Sequence, residues 1–241
     1  MKRKIFDLAA RRIYMRPWRT EISAPAQLGG IIGGLLITFY GGGLITRYWG
    51  MLTGLIVSSF AASFFILAVM FCHPVTGREL ARKAGFRKLE KKNWKPILLG
   101  LALITVVSPL LTLSWQQILE SLHIPFEQEQ GLVQLVKGAD AVTCCKLFLL
   151  TAVAVPLAEE LIFRRCLYGL LLKISAPAAF VGTAVIFAAA HGFLLGVPGL
   201  CFIGFIFQIL CNTTRNLWSS VICHACHNAI VITLAALSTS V

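Results

Sequence analysis

Two adjacent carboxylates and two adjacent guanidiniums lie in the stretch Ala158-Glu159-Glu160-Leu161-Ile162-Phe163-Arg164-Arg165, within an apolar run from about Ala141 to Leu172. An ionisable side chain at membrane depth is unfavourable by about 3 kcal/mol even on the lenient insertion scale, so such a cluster points to function. Helical geometry separates the roles. Glu160 and Arg164 are i, i+4 neighbours with the acid N-terminal, the favourable order for a neutralising pair. Glu159 is turned about 100° away on the helical wheel and is left without such a partner. A carboxylate in an apolar surround can take and give a proton near neutral pH, as a general base must.

His191, His224 and Asn228 are further polar groups in apolar segments. His191 ends one such segment, four residues after Phe187. His224 and Asn228 share a face of the last segment at i, i+4, and His227 nearly shares it at i+3. Counted from the flanking Lys173, Arg215 and Ser175-Ala176-Pro177, the residues Glu159, His191 and His224 all fall in the middle of a ~30 Å hydrocarbon core. Two chemistries use such a set. In one, Glu159 and His191 hold and deprotonate a water while His224 and Asn228 donate to the oxyanion of a tetrahedral intermediate. In the other, Glu159, His191 and His224 form a His₂Glu set, the ligand type of a catalytic zinc. Both hydrolyse an amide within the membrane. His227 has no part in either and is accessory.

Cys223-His224-Ala225-Cys226-His227 is a literal C-x-x-C-H, the string of c-type haem attachment. Its expected place, inside a span and towards the cytoplasmic face, argues against that reading. The eight cysteines lie almost all within apolar runs, which suits small buried apolar residues better than a disulfide framework.

The elements that must position these residues are membrane spans. Of 241 residues, 57% are hydrophobic and only 13% charged, about half the charge of a soluble domain. The net charge of +12 does not indicate nucleic acid, because the basic residues cluster beside apolar runs, the pattern of membrane topology. The expected fold is an all-α, polytopic helical bundle of seven transmembrane helices: Leu28–Ile45, Met51–Cys72, Pro96–Leu119, Ala141–Leu172, Pro177–His191, Gly199–Leu210 with Cys211, and Leu217–Leu237. Pro156 should kink or break the long fourth segment, and a break into two pieces would give an eighth. Residues 1–139 would hold a basic surface helix and three spans, and residues 140–241 the catalytic core, in one integrated membrane domain. The glycine-rich first span should pack closely on its neighbours. A short surface helix is expected over Gly131–Val136, and a cytoplasmic turn over Asn212–Asn216.

Residues 1–21 carry seven Lys/Arg against two acids, and His73–Lys95 carries eight against two. Both segments therefore belong on the cytoplasmic side of a cell inner or plasma membrane. Ile5, Phe6, Ala9, Ile13 and Tyr14 suggest an amphipathic helix on the anionic leaflet. No cleavable signal is visible, so the first span is expected to serve as an uncleaved one.

Taken together, Glu159-Glu160 with Arg164, Phe187-Ala-Ala-Ala-His191, and His224 with Asn228 resemble the motifs E-E-x-x-x-R, F-x-x-x-H and H-x-x-x-N. These belong to the CPBP intramembrane proteases, also called the CAAX protease and bacteriocin-processing (Abi) family, with type II CAAX prenyl proteases as eukaryotic relatives. Thr214-Arg215-Asn216-Leu217-Trp218 also resembles the family's turn into its last core helix. The resemblance covers residues 140 to 230 and implies an intramembrane endopeptidase of glutamic type without a cofactor. It implies Glu159 as base, His191 as its partner on the water, His224 and Asn228 as the oxyanion pair, and Glu160 and Arg164 in support. The expected partners are the lipid bilayer and a membrane-anchored, prenylated or signal-like peptide. The readings to be told apart from it are the zinc-dependent version, and a non-proteolytic protein of the same fold serving in self-immunity or as a scaffold.

Overall fold

A computed structural model describes residues 22–70, 84–128, 131–136 and 139–238, and among these every regular element is helical. The basic segment 1–21 and the first half of the loop His73–Lys95 lie outside the described residues. The chain is an all-α, polytopic membrane protein. Among the described residues, five helices are long and apolar enough to cross a bilayer: Met51–Val69, Lys91–Ser121, Ala141–Leu171, Val197–Thr214 and Leu217–Leu237. The expected spans at Leu28–Ile45 and Pro177–His191 correspond to shorter apolar helices, Ala24–Leu36 and Ala176–Ala190.

In chain order, α1 (Ala24–Leu36) passes through a π turn (Ile37–Gly41) into α2 (Gly42–Trp49), and α3 (Met51–Met70) returns beside them. The glycines of α1 do pack closely. A Cβ on Gly30 would lie 3.2 Å from Cys166 Sγ, and one on Gly34 would lie 3.0 Å from Ile66. The first helix thus rests on the segment that carries the acids. α4 (Lys91–Ser121) begins five residues before the expected Pro96, because the Asn93 side chain accepts the Glu90 N–H at 2.7 Å and caps the start. The short helix α5 (Gly131–Val136) stands at the expected place.

The acid-bearing helix is built of α6 (Ala141–Leu149), a π turn (Leu150–Ala154), α7 (Val155–Glu160), a second π segment (Leu161–Leu167) and α8 (Tyr168–Leu171). Asp140 caps it through the Thr143 N–H at 2.7 Å, and this bond holds the Asp140 carboxyl below its ordinary range. Pro156 does not break the helix, and the fourth segment runs as one piece over Ala141–Leu171. The ladder widens to π spacing just before the proline, which lies at the start of α7. π turns of this kind are enriched at functional sites.

α9 (Ala176–Ala190) is capped by Ser175, whose Oγ accepts the Ala178 N–H at 3.1 Å. α10 (Val197–Thr214) runs four residues beyond Leu210. The expected turn at Asn212–Asn216 shrinks to Arg215 and Asn216, since the Thr213 and Thr214 hydroxyls bond back to the carbonyls of Ile209 and Leu210. Arg215 takes the left-handed conformation (φ 50°) that ends α10, and Asn216 caps α11 (Leu217–Leu237) by accepting the Trp218 N–H.

α9 and α10 meet where Gly204 faces Ala184. A Cβ on Gly204 would lie 3.1 Å from the Ala184 Cα and 3.4 Å from the Phe187 ring. This close approach seats Phe187 in the core. Gly204→Val should therefore lower stability by about 1–3 kcal/mol through overpacking, read as a lower thermal unfolding midpoint in detergent. Gly43→Ala, where a Cβ meets nothing within 4 Å, should leave that midpoint unchanged or raise it.

Candidate active site

The Arg164 guanidinium reaches back one turn to Glu160, with Nε donating to Oε2 at 3.0 Å and the terminal nitrogen to Oε1 at 3.4 Å. Both side chains are 0% exposed. Two parallel bonds from a planar fork to a carboxylate are the strong geometry for such a pair. The guanidinium carbon also lies 5.1 Å from the Phe187 ring centroid and 5.7 Å from that of Phe207. A cation held against aromatic faces away from water gains on the order of 2 kcal/mol.

His224, buried on α11, sits between the two acids. Its Nδ1 lies 3.3 Å from Glu160 Oε1, and its Nε2 lies 3.9 Å from Glu159 Oε2. Glu160 is paired with Arg164 and ionised, so it accepts and His224 Nδ1 carries the hydrogen. Nε2 is then left to accept, or to donate once protonated. Phe207, fully buried on α10, stacks on the imidazole at 4.7 Å and 26°. The imidazole is therefore fixed at one nitrogen and on one face.

Glu159 differs from its neighbour in the way a working carboxylate needs. Its side chain is 24% exposed against 0% for Glu160. Its Oε2 is buried and makes no hydrogen bond among the described residues. Two atoms 3.9 Å apart can both lie at about 2.8 Å from one water placed beside them. Oε2 as it stands is closed to solvent, so a water bridging the two would need the side chain of Glu159 to turn or the gap to widen.

His191 caps the end of α9, and its Nδ1 lies 2.8 Å from the Phe187 carbonyl. A carbonyl can only accept, so Nδ1 bears the hydrogen and Nε2 presents a lone pair. His191 reaches the cluster through Phe187, whose ring lies 4.7 Å from His191, 5.1 Å from Phe163 and 6.1 Å from His224. Asn228, one turn beyond His224, donates Nδ2 to the Thr151 carbonyl at 2.8 Å. One amide hydrogen is thus committed, and the second remains. Glu159, Glu160, Arg164 and His224 form one contiguous cluster, with His191 linked by an aromatic ring and Asn228 bonded to the backbone of the acid-bearing helix. His227 has a buried Nδ1 without a hydrogen-bond partner among the described residues.

Among the described residues no three His, Cys, Asp or Glu side chains converge at metal-ligand spacing. Glu159, His191 and His224 do not fit a zinc in this arrangement. Nor does the C-x-x-C-H string present a common face to a haem. Cys223 is buried with its thiol against the Ile97 carbonyl, while Cys226 is exposed. The cysteines as a set are less uniformly buried than expected, since Cys145 is exposed as well.

Two features near the site lie outside the motifs. One is Phe207 beneath His224. The other is a buried chain in which Gln208 donates to Asn212 and Asn212 donates to the Tyr168 hydroxyl, both at 3.0 Å. Gln208 and Asn212 carry a sequence signal, as polar residues at i, i+4 in an apolar stretch, and Tyr168 stands four residues after Arg164. Phe207 carries no such signal.

Residues 141–230 match the family model described as Type II CAAX prenyl endopeptidase Rce1-like. All six site residues fall inside that stretch. No curated protein and no solved structure matches the chain.

Arg164→Met leaves Glu160 buried and uncompensated, which should remove about 3–5 kcal/mol of stability. Adding Glu160→Gln removes the stranded charge, so the double variant should be more stable than Arg164→Met alone. Denaturant unfolding in mixed micelles measures both, and additive losses would contradict the pairing.

Proposed function

We propose that this chain, whose residues 141–230 match the Rce1-like type II CAAX prenyl endopeptidase model, is a membrane protease that hydrolyses a peptide bond with a water activated by Glu159. The observation that carries this reading is the contrast between the two adjacent acids. Glu160 is sealed and neutralised by Arg164, whereas Glu159 is partly open and faces the His224 Nε2.

The steps follow from the residues. Glu159 takes the proton of a water held beside it, with the His191 Nε2 lone pair as the second acceptor for that water. The water oxygen attacks the scissile carbonyl. Negative charge develops on the carbonyl oxygen, where the free amide hydrogen of Asn228 and a protonated His224 Nε2 would donate. Glu159 then returns its proton to the leaving amine, as a general base must when it turns acid. Glu160 and Arg164 touch no reacting atom in this scheme. They hold the imidazole so that only Nε2 is free. An apolar surround strengthens every one of these interactions relative to water.

The substrate is a membrane-anchored peptide, prenylated or signal-like, entering from the bilayer. The basic segments 1–21 and 73–95 support an N-terminus on the cytoplasmic side of an inner or plasma membrane.

Purified protein in detergent, presented with pooled prenylated and signal-like anchored peptides, tests the reading. Glu159→Gln should reduce cleavage by about 10²-fold or more, the scale of a lost general base, with helix content unchanged. His191→Ala should fall comparably, and a strong chelator should leave wild-type cleavage intact. Undiminished cleavage by Glu159→Gln contradicts the proposal, and loss with chelator that Zn²⁺ restores replaces it with the metal mechanism.

A further inference from the structure

The Thr151 carbonyl that receives Asn228 is free for a reason written in the backbone. In an α-helix it would accept the N–H of residue 155. Here the Val155 N–H reaches back five residues to the Leu150 carbonyl instead. In that widened ladder the Thr151 carbonyl would next be offered to residue 156, which is Pro156 and has no N–H. Thr151 is itself buried, at 5% exposure, and a buried carbonyl left unpaired is unfavourable. The π turn and the proline together leave the Thr151 carbonyl without a donor from its own helix. Asn228 Nδ2 fills it at 2.8 Å from the neighbouring helix.

We infer that Pro156 is a positioning residue of the site: it keeps the Thr151 carbonyl vacant so that Asn228, and with it the His224 face of α11, is held in one rotation against Glu159. The bond also sets which way the amide points. With Nδ2 on a carbonyl, the amide cannot flip, and its second hydrogen has one direction left. The proline three residues before Glu159 thereby acts on a residue 72 positions later in the chain. The functional consequence rests on the reading that Asn228 serves the reaction, whereas the structural one does not.

The test compares Pro156→Ala, Asn228→Ala, Asn228→Asp and the double variant Pro156→Ala/Asn228→Ala. The Pro156→Ala substitution restores an N–H for the vacant carbonyl and competes Asn228 away. In protein labelled with ¹⁵N-asparagine, the Asn228 side-chain amide, identified by its loss in Asn228→Ala, should be protected from exchange in the wild type. In Pro156→Ala it should exchange at least tenfold faster. Fast exchange in the wild type, or protection indifferent to Pro156→Ala, overturns the inference whether or not the protein cleaves peptides. In cleavage assays Pro156→Ala should lose about 10²-fold in kcat, the scale of one misplaced oxyanion donor, with KM within about twofold. Its thermal midpoint should stay level or rise, since alanine is the better helix former. Asn228→Asp, similar in shape but without the donor, should fail as Asn228→Ala does. The double variant should be no worse than Asn228→Ala, because the two residues act through one bond. Additive losses would show that Pro156 acts by another route.

Discussion

Burying Glu160 and Arg164 together is the constraint from which the rest of the site follows. Neither charge tolerates an apolar interior alone, and once paired they cannot move without exposing one of them. The pair gives His224 a fixed carboxylate to donate to, and this settles which imidazole nitrogen is free. It gives Phe187 and Phe207 a cation to pack against, and these rings join α9 and α10 to the acid-bearing helix. It also removes one of two adjacent carboxylates from chemistry. The same letter twice in the sequence thus yields one acid sealed in an ion pair and, beside it, one partly open acid without such a partner.

Helix geometry does the remaining positioning. The acid-bearing helix holds one and a half turns of α-helix, Val155–Glu160, between two π segments. Each π turn shifts the phase of the side chains after it and leaves a carbonyl without its ordinary donor. At the first of these the vacancy is filled from α11. Close contacts at Gly30, Gly34 and Gly204 let the flanking helices approach near enough for such bonds to form. The N-terminal helix α1 therefore supports the site by packing against Ile162 and Cys166, although it supplies no residue to it.

The cluster of Glu159, Glu160, Arg164 and His224 was legible as a set because ionisable groups in apolar spans stand out, and the i, i+4 rule read the Glu160–Arg164 pair directly. The all-helical membrane architecture followed from composition and run length. Other features were not legible for identifiable reasons. Phe207 in an apolar run looks like any core aromatic, and only the fold shows it beneath His224. Asn-Thr-Thr-Arg-Asn reads as a turn that would include Asn212, while the threonine hydroxyls in fact bond back and extend the helix. Pro156 reads as a breaker from local rules. A π turn absorbs it here, and the carbonyl it leaves is satisfied by a residue distant in sequence. Rules confined to neighbouring residues do not anticipate that partner.

In the proposed mechanism Glu159 activates water and forms no bond to the substrate. A single turnover in H₂¹⁸O, with excess protein over a membrane-anchored peptide, tests this by mass spectrometry of both the new C-terminus and the Glu159-containing fragment. The expected result is one ¹⁸O in the product carboxyl and none in Glu159. An ¹⁸O atom in the Glu159 side chain, with an unlabelled product, would mean that the carboxylate itself attacked and that the water-activation mechanism is wrong.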